Sequence, residues 1–215
     1  MTSLPDPALL ATPAEELFAA LLAVLAAKGM VSEAELAARI QSTDAASPAQ
    51  GARMVARAWV DPGYRALMLA DGTQAAEALG IPMLGAPPLG VLENRPGRHH
   101  LVVCTLCSCY PRAVLGYPPF WFKSAAYRAR AARDPAGLIA EWGTVLPPGT
   151  EIVVVDSTAD YRWMVLPQRP PDTAGWDEAA LASLVREGDM IGVTVPGSMP
   201  GSMPEPMPER GGKPG

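Results

Sequence analysis

The three cysteines of the chain, Cys104, Cys107 and Cys109, lie within six residues of one another. Thiolates bind soft metal ions and undergo oxidation, so three of them in one short segment indicate a metal or redox site. The C-x-x-C-x-C spacing brings the sulfurs to one point if the backbone between them curls tightly. We call residues 104–109 the cysteine loop.

Several kinds of site fit this spacing. A structural zinc site takes four ligands, and His99 or His100 is the candidate for the fourth. Such sites usually draw on two separate knuckles, and the sequence has no second one. Iron–sulfur clusters generally use a fourth cysteine, and a redox C-x-x-C pair leaves the third cysteine without a role.

The backbone between the last two cysteines supports a different site. When the sulfurs of Cys107 and Cys109 bind one metal ion, the amide nitrogens of Ser108 and Cys109 point at it as well. Two sulfurs and two nitrogens then form a planar set, with Cys104 below it and the opposite position open to substrate. An open position on a Lewis-acidic ion is what a hydrolytic or hydrating site requires.

The elements around the cysteine loop follow from local signals. Capping boxes, in which Ser or Thr is followed three residues later by Glu or Gln, predict helix starts at Thr12, Ser32 and Ser47. The first of these helices carries leucines at helical spacing. Two further helices are predicted after Asp61 and over residues 73–80, so the first eighty residues are expected to be helical.

The remainder of the chain mixes helices and strands. Residues 81–96, rich in proline and glycine, are predicted to form a long loop. The other predicted elements are a strand at 101–103, a helix at 118–133, two strands at 151–155 and 161–166 paired around a turn, a helix at 177–186 and a strand at 190–195. This order predicts an α/β fold with a layered α-β-β-α core.

We therefore expect three regions along the chain. Residues 1–60 form a helical N-terminal arm, whose apolar face packs either against a partner or against the core of this chain. Residues 61–195 form the metal-binding catalytic core. Residues 196–215, rich in Pro, Gly and Met, form a disordered, flexible tail because they cannot bury enough apolar surface to order themselves.

Composition and charge bear on three questions: binding to nucleic acid, association with a membrane, and secretion. The chain has 17 basic and 22 acidic residues, a net charge of -5, and no cluster of Lys or Arg, which excludes a nucleic acid partner. The apolar run over residues 17–27 is too short to span a membrane and lacks the basic flank of a secretory signal. We expect a cytoplasmic protein without membrane association, whose cysteines do not form a disulfide framework.

The segment V-C-T-L-C-S-C-Y at residues 103–110 resembles the metal-binding alpha subunit of nitrile hydratase. Thr105, where the iron enzymes have serine, is typical of the cobalt type of this family. The resemblance extends over most of the chain, to the runs at residues 51–59, 93–94, 110–111, 114–116, 118–119, 121, 123–124, 156–157, 162, 165–170 and 190–193.

The resemblance implies one low-spin Co(III) ion per chain, with Fe(III) less favoured. Cys104 is then the axial thiolate, Cys107 a sulfinate and Cys109 a sulfenate, and Ser108 and Cys109 add deprotonated backbone amides. Cys107, Ser108 and Cys109 are the implied catalytic group. The implied reaction hydrates a nitrile to the amide, with the Cys109 sulfenate or an activated water as nucleophile.

The resemblance also implies the surroundings of the metal. Thr105, Trp121 and Arg162 are the candidates for the pocket and its support: Trp121 as a wall, and Arg162 with Asp156 as a brace behind the cysteine loop. A solvated pair of turn residues is the more common arrangement for Arg162 and Asp156. Trp121 is equally well explained as ordinary helix-face core. In the family, a beta subunit supplies arginines to the oxidised cysteines, so the expected assembly is an αβ heterodimer or (αβ)2. The resemblance also favours the partner as the surface that residues 1–60 contact.

Departures from the family pattern leave the substrate open. The apolar residues 84–88 stand where many members carry a polar Gln-Gly-Glu-His-type segment, and Phe122 replaces a tyrosine. The metal-bearing subunit of thiocyanate hydrolase, which shares the cysteine motif, is the closest alternative. A non-catalytic zinc or thiol metal-binding module is the alternative from another class, and it predicts one zinc ion and unoxidised cysteines.

Overall fold

The computed structural model describes residues 12–197. The chain divides into two compact units, Met1–Ala45 and Ala46–Gly215, which we call the N-terminal unit and the core unit. Apart from residues 196–197, the predicted tail lies outside the described residues. Within the described part of the chain, no helix is long and apolar enough to cross a membrane.

In the N-terminal unit the structure describes two helices, α1 (Thr12–Ala27) and α2 (Glu33–Ala45). α1 is followed by Gly29, whose positive φ of 65° allows the chain to turn away from the helix. The capping box at Ser32 is confirmed, because its backbone N–H donates to the Glu35 carboxylate at 2.8 Å and its Oγ accepts the Glu35 amide at 3.1 Å. The box predicted at the start of α1 lies outside the described side chains.

In the core unit, helices and strands are interleaved along the described chain. The helices are α3 (Pro48–Val60), α4 (Pro62–Ala70), α5 (Gly72–Ala78), α6 (Arg112–Leu115), α7 (Phe120–Lys123), α8 (Ala125–Arg133), α9 (Pro135–Glu141), α10 (Glu178–Ser183) and α11 (Glu187–Ile191). The strands are β1 (Leu89–Glu93), β2 (Arg98–Val103), β3 (Glu151–Asp156) and β4 (Arg162–Leu166). A mixed helix-and-strand fold is thus confirmed, whereas the layered α-β-β-α order stays a prediction.

The four strands form two parallel pairs. β1 pairs with β4, and β2 pairs with β3 in a register that runs from Arg98 opposite Glu151 to Val103 opposite Asp156. Parallel pairing places the carboxyl ends of β2 and β3 side by side, so the segments that follow both strands emerge at one edge. The cysteine loop follows β2 at this edge.

The predicted pairing between the strands at 151–155 and 161–166 is wrong. Both strands form, and the turn between them closes with the Thr158 amide donating to the Tyr161 carbonyl at 2.9 Å. The strands nevertheless belong to different pairs. The partner of β4 is β1, which lies inside the stretch that was predicted to be a loop, because prolines and glycines on both sides of this five-residue strand conceal it.

The helix predicted at residues 118–133 is two helices that meet at Ser124. Ser124 ends α7, and its Oγ accepts the amide of Tyr127 at 3.1 Å, which begins α8. The third predicted helix starts where expected, at α3, but its capping box does not form. The amide of Gln50 bonds to the backbone carbonyl of Ser47 at 3.0 Å, and no side-chain cap is present.

The prediction of a strand at residues 190–195 is also wrong, because residues 190–191 belong to α11. A short apolar run does not by itself distinguish a strand from a buried helix. Here the Asp189 carboxylate accepts the Arg186 amide at 2.8 Å and caps a helix start. Gly192, with φ of 90°, then ends the helix in the left-handed conformation.

The core of this unit joins α3 and α11 to the strands β2 and β4. Side chains from these elements are almost completely buried; they include Met54, Val55, Leu101, Val102, Met164, Val165, Met190 and Ile191. Close packing of this kind leaves little freedom to the strands. The carboxyl end of β2 is therefore a rigid support for the cysteine loop.

Candidate metal centre

The sulfurs of the cysteine loop converge, as its spacing predicts. The Sγ atom of Cys107 lies 3.4 Å from that of Cys104 and 3.1 Å from that of Cys109. All three sulfurs lie within 4.8 Å of one another. Cys104 and Cys109 are buried and Cys107 is exposed, so the group has one side toward the protein and one toward solvent.

Backbone amides of the cysteine loop also lie close to the three sulfurs. After the larger effect of the Cys109 and Cys104 thiols, the backbone amides of Ser108 and Cys109 also help to lower the pKa of the Cys107 thiol. The Cys107 amide also donates to the Cys104 sulfur at 3.3 Å. The backbone of the cysteine loop therefore lies beside the sulfurs, so a ligand set could include nitrogen as well as sulfur.

The thiols of Cys107 and Cys109 differ in acidity. Hydrogen bonds from Cys109 and Cys104 lower the pKa of Cys107. Burial, followed by the hydrogen bond with Cys107, raises the pKa of Cys109 to about 12. Of these two thiols, Cys107 is therefore the more acidic.

Asp156 holds the first half of the cysteine loop. Its carboxylate accepts the Thr105 amide at 3.0 Å and the Thr105 hydroxyl at 2.5 Å. Asp156 is the last residue of β3, directly opposite Val103, so the parallel pairing of β2 and β3 places the acceptor beside the loop. Thr105 is thus a loop anchor.

Arg128 holds the second half of the cysteine loop. Its Nη1 donates to the Cys107 carbonyl at 3.0 Å and to the Lys123 carbonyl at 2.7 Å. Sequence reasoning missed this residue. It is one of three arginines in α8, and no spacing distinguishes it from Arg130 or Arg133.

Arg162 acts on the sulfur group through its charge. Burial raises the pKa of Cys109, and the positive charge of Arg162 acts weakly in the opposite direction. The Nη1 atom of Arg162 is buried and has no hydrogen-bond acceptor among the described residues. A buried guanidinium nitrogen without an acceptor suits a site that later gains anionic oxygen atoms.

Trp121 lies in an aromatic cluster. Its ring packs edge-on against Tyr127 at 5.0 Å and Trp142 at 4.8 Å between centroids. Tyr127 in turn donates its hydroxyl to the Val102 carbonyl at 2.6 Å, next to the end of β2. These contacts account for the partial burial of Trp121, and its role as a pocket wall stays a prediction.

The histidines do not join the sulfur group. His99 Nε2 donates to the Gly192 carbonyl at 2.7 Å, and its Nδ1 lies 3.0 Å from the Asn94 Nδ2. The His100 amide donates to the Asn94 Oδ1 at 2.7 Å. Within the described part of the chain, the group of potential metal ligands consists of Cys104, Cys107 and Cys109. The zinc site with a histidine as fourth ligand is therefore not formed.

Sequence comparison assigns the family. Residues 12–194 match the family model for nitrile hydratase, alpha chain. The chain is 50% identical over 149 residues to the low-molecular weight cobalt-containing nitrile hydratase subunit alpha of Rhodococcus rhodochrous, covering 69% of this chain and 72% of that one. It is 44% identical over 160 residues to thiocyanate hydrolase subunit gamma of Thiobacillus thioparus, covering 69% and 66%.

Solved structures agree with this assignment. A double mutant of the Fe-type nitrile hydratase from Comamonas testosteroni Ni1 is 37% identical, with a TM-score of 0.71 over 88% of this chain and 91% of that one. A recombinant thiocyanate hydrolase with partially modified cobalt centres is 38% identical, with a TM-score of 0.74 over 86% and 90%. The chain belongs to the nitrile hydratase alpha-chain family. The predicted family, and with it the prediction of an enzyme subunit, is confirmed.

Proposed function

We propose that this chain is the metal-bearing catalytic subunit of a nitrile hydratase, which adds water to a nitrile to give the amide. The observation that carries the proposal is the convergence of three cysteine sulfurs within 4.8 Å at the end of β2. In the net reaction, the oxygen of water goes to the nitrile carbon and both hydrogens end on the nitrogen.

The residues of the cysteine loop fit a cobalt ion. Cys104, Cys107 and Cys109 provide thiolates, and Ser108 and Cys109 provide backbone amide nitrogens that lose their protons to solvent. When bound, Co(III) supplies Lewis acidity that polarises the carbon–nitrogen triple bond of the substrate. Cobalt-containing relatives and Thr105 favour Co(III) over Fe(III).

Oxidation of two cysteines fits the burial pattern and the charges. Cys107, which is exposed and has the lowered pKa, becomes the sulfinate, and Cys109 becomes the sulfenate. Dioxygen is the proposed oxidant, and it accepts the electrons and supplies the three oxygen atoms that the two sulfurs gain. The unpaired Nη1 of Arg162 is a donor for the oxygen atoms that oxidation adds. The Ser108 hydroxyl is a further donor, and the nucleophile is the Cys109 sulfenate oxygen or a water molecule.

A partner subunit completes the site. Leu106, in the middle of the cysteine loop, is 92% exposed, and Phe120 at the start of α7 is 67% exposed. In the N-terminal unit, α1 exposes Leu17, Phe18 and Leu21. Large exposed apolar side chains in two places suit a protein-covered surface. The proposed partner is a beta subunit that also brings arginines, in a cytoplasmic αβ heterodimer or (αβ)2.

Cobalt content and intact mass of the complex purified with its partner, after growth with cobalt, test this function. We expect about one cobalt per chain and a gain of three oxygen atoms, two on Cys107 and one on Cys109. The same preparation is expected to hydrate nitriles. One zinc ion with unmodified cysteines would instead support the non-catalytic metal-binding module.

A second candidate, thiocyanate hydrolysis, is favoured by the similarity of the chain to thiocyanate hydrolase subunit gamma, to which it is 44% identical over 160 residues. Thiocyanate also carries a carbon–nitrogen triple bond, so the same metal-bearing cysteine loop could serve either substrate. Turnover of thiocyanate without turnover of nitriles by the cobalt-loaded complex would assign this activity.

A further inference from the structure

We propose that Arg128 stabilises the negative charge that metal binding places on the peptide group between Cys107 and Ser108. This inference rests on the proposed function, because the Ser108 nitrogen belongs to the proposed ligand set. Arg128 touches neither substrate nor the reacting atoms, so it is a positioning residue. It acts through the backbone of the cysteine loop.

The argument starts from the atom that Arg128 contacts. Its Nη1 donates to the Cys107 carbonyl oxygen at 3.0 Å. That oxygen belongs to the same planar peptide unit as the Ser108 nitrogen, and resonance couples the two atoms. A nitrogen that has lost its proton therefore shares its negative charge with the oxygen against which Arg128 lies.

The charge of Arg128 is available for this purpose. A guanidinium stays protonated in proteins, and hydrogen bonds from it to an anionic oxygen are shorter and stronger than neutral ones. Arg128 forms no ion pair within the described part of the chain. Arg130, two residues further along α8, instead pairs with Asp134 and Glu141.

A purely structural role makes a different prediction. The bond from Arg128 to the Lys123 carbonyl at 2.7 Å satisfies the end of α7, and a neutral donor would serve there equally well. Charge stabilisation at the Cys107 carbonyl requires a cation. Arg128→Gln keeps an amide donor without charge, whereas Arg128→Lys keeps the charge on a flexible stem.

The test uses the complex with its partner, grown at graded cobalt concentrations. We expect Arg128→Gln to raise the cobalt concentration that fills half of the sites by about tenfold, the scale of losses when a group behind a metal ligand is removed. Its visible cobalt absorption bands should also shift. Arg128→Lys should recover most of the occupancy, and Arg130→Gln, the matched control on the same helix, should behave as wild type.

Three outcomes would overturn the inference. Wild-type occupancy and spectrum in Arg128→Gln would show that the charge is irrelevant. Equal losses in Arg128→Gln and Arg128→Lys would assign Arg128 to loop geometry alone. If Arg128→Gln does not assemble, Arg128→Lys decides: occupancy close to that of wild type supports the role of charge, and a tenfold loss contradicts it. A wild type that holds no cobalt would overturn the proposed function as well, so the two failures are distinguishable.

Discussion

Arg162 carries a buried guanidinium nitrogen that lacks an acceptor among the described residues. We expect its replacement to affect the stability of cobalt-free protein and the activity of the cobalt-loaded complex in opposite directions. In cobalt-free protein, replacing it by an apolar side chain of similar length removes an unsatisfied donor. Arg162→Met is therefore expected to leave the melting temperature of the cobalt-free protein unchanged or higher. In the proposed cobalt-loaded complex, the same change removes a donor that we propose for the oxygen atoms of the oxidised sulfurs, and we expect kcat to fall by about 10- to 100-fold.

Thermal unfolding of cobalt-free protein and nitrile hydration by the complex measure the two halves of this prediction. Arg133→Met, at the exposed end of α8, is the matched control. A lower melting temperature without any loss of activity would assign Arg162 to folding.

Asp156 accepts two hydrogen bonds from Thr105 and so fixes the first half of the cysteine loop. Asp156→Ala removes both bonds, and we expect cobalt occupancy to fall roughly tenfold while the fold persists, because each exposed hydrogen bond contributes only about 1 kcal/mol. Metal analysis and thermal unfolding measure these effects. Asp160→Ala, in the neighbouring turn, should bind cobalt normally, and normal cobalt in Asp156→Ala would exclude the anchoring role.

At the scale of elements, Gly192 joins the end of α11 to β2. Its φ is 90°, and a Cβ atom there would overlap the His100 carbonyl oxygen. Gly175 has a φ of 80° with nothing near its Cβ position. Gly175→Ala therefore carries the backbone strain alone, about 1–2 kcal/mol. Gly192→Ala should lower the free energy of unfolding by about 2 kcal/mol more than Gly175→Ala does, because the added methyl group also displaces the β2 backbone.

Urea denaturation of the two glycine variants tests this comparison. Equal losses of stability would show that the packing of α11 against β2 tolerates an added methyl group. The larger expected loss for Gly192→Ala would place the contact among those that hold β2, and hence the cysteine loop, in place.

The elements also show which features are readable from sequence. The cysteine loop is predictable because its ligands are local, so spacing alone brings Cys104, Cys107 and Cys109 together. Helices with local caps, such as the one after Ser32, are predictable for the same reason. β1 and the pairing of β3 with β2 are not, because strand partners are chosen by tertiary packing and not by proximity in the chain. Arg128 was missed for the same reason: its partner in the cysteine loop is 21 residues away.

At the scale of the whole molecule, the histidine network makes stability depend on pH. Burial lowers the pKa of His99, and its neutral ring donates through Nε2 to Gly192 while Nδ1 faces the Asn94 amide group. Protonation of Nδ1 would place two hydrogen-bond donors, Nδ1 of His99 and Nδ2 of Asn94, against each other. Below pH 6.5, the ordinary pKa of histidine, the unfolded chain therefore binds more protons at this residue than the folded chain does. The contribution of His99 to the free energy of unfolding is complete above pH 6.5. It falls as the pH decreases toward the lowered pKa of the folded state.

Unfolding measured between pH 5 and pH 7.5 tests this dependence, and the slope due to His99 approaches about 1.4 kcal/mol per pH unit at most. His99→Gln should remove this part of the slope. Burial also raises the pKa values of the carboxyl groups of Glu187 and Asp189. Their contributions cancel when the free energy of unfolding of the variant is subtracted from that of wild type at each pH. A difference that does not change with pH would show that His99 titrates alike in both states.

The pairing of β2 with β3 also determines when during synthesis the centre can form. Thr105 and its acceptor Asp156 are 51 residues apart in the chain. At roughly 5–20 residues per second, the cysteines are synthesised several seconds before the carboxylate that anchors their loop. Parallel pairing over such a separation is in addition slow compared with helix formation. The nascent chain therefore presents three thiols before the carboxylate that anchors their loop exists, so a metal ion can meet the anchored loop only after β3 has been synthesised.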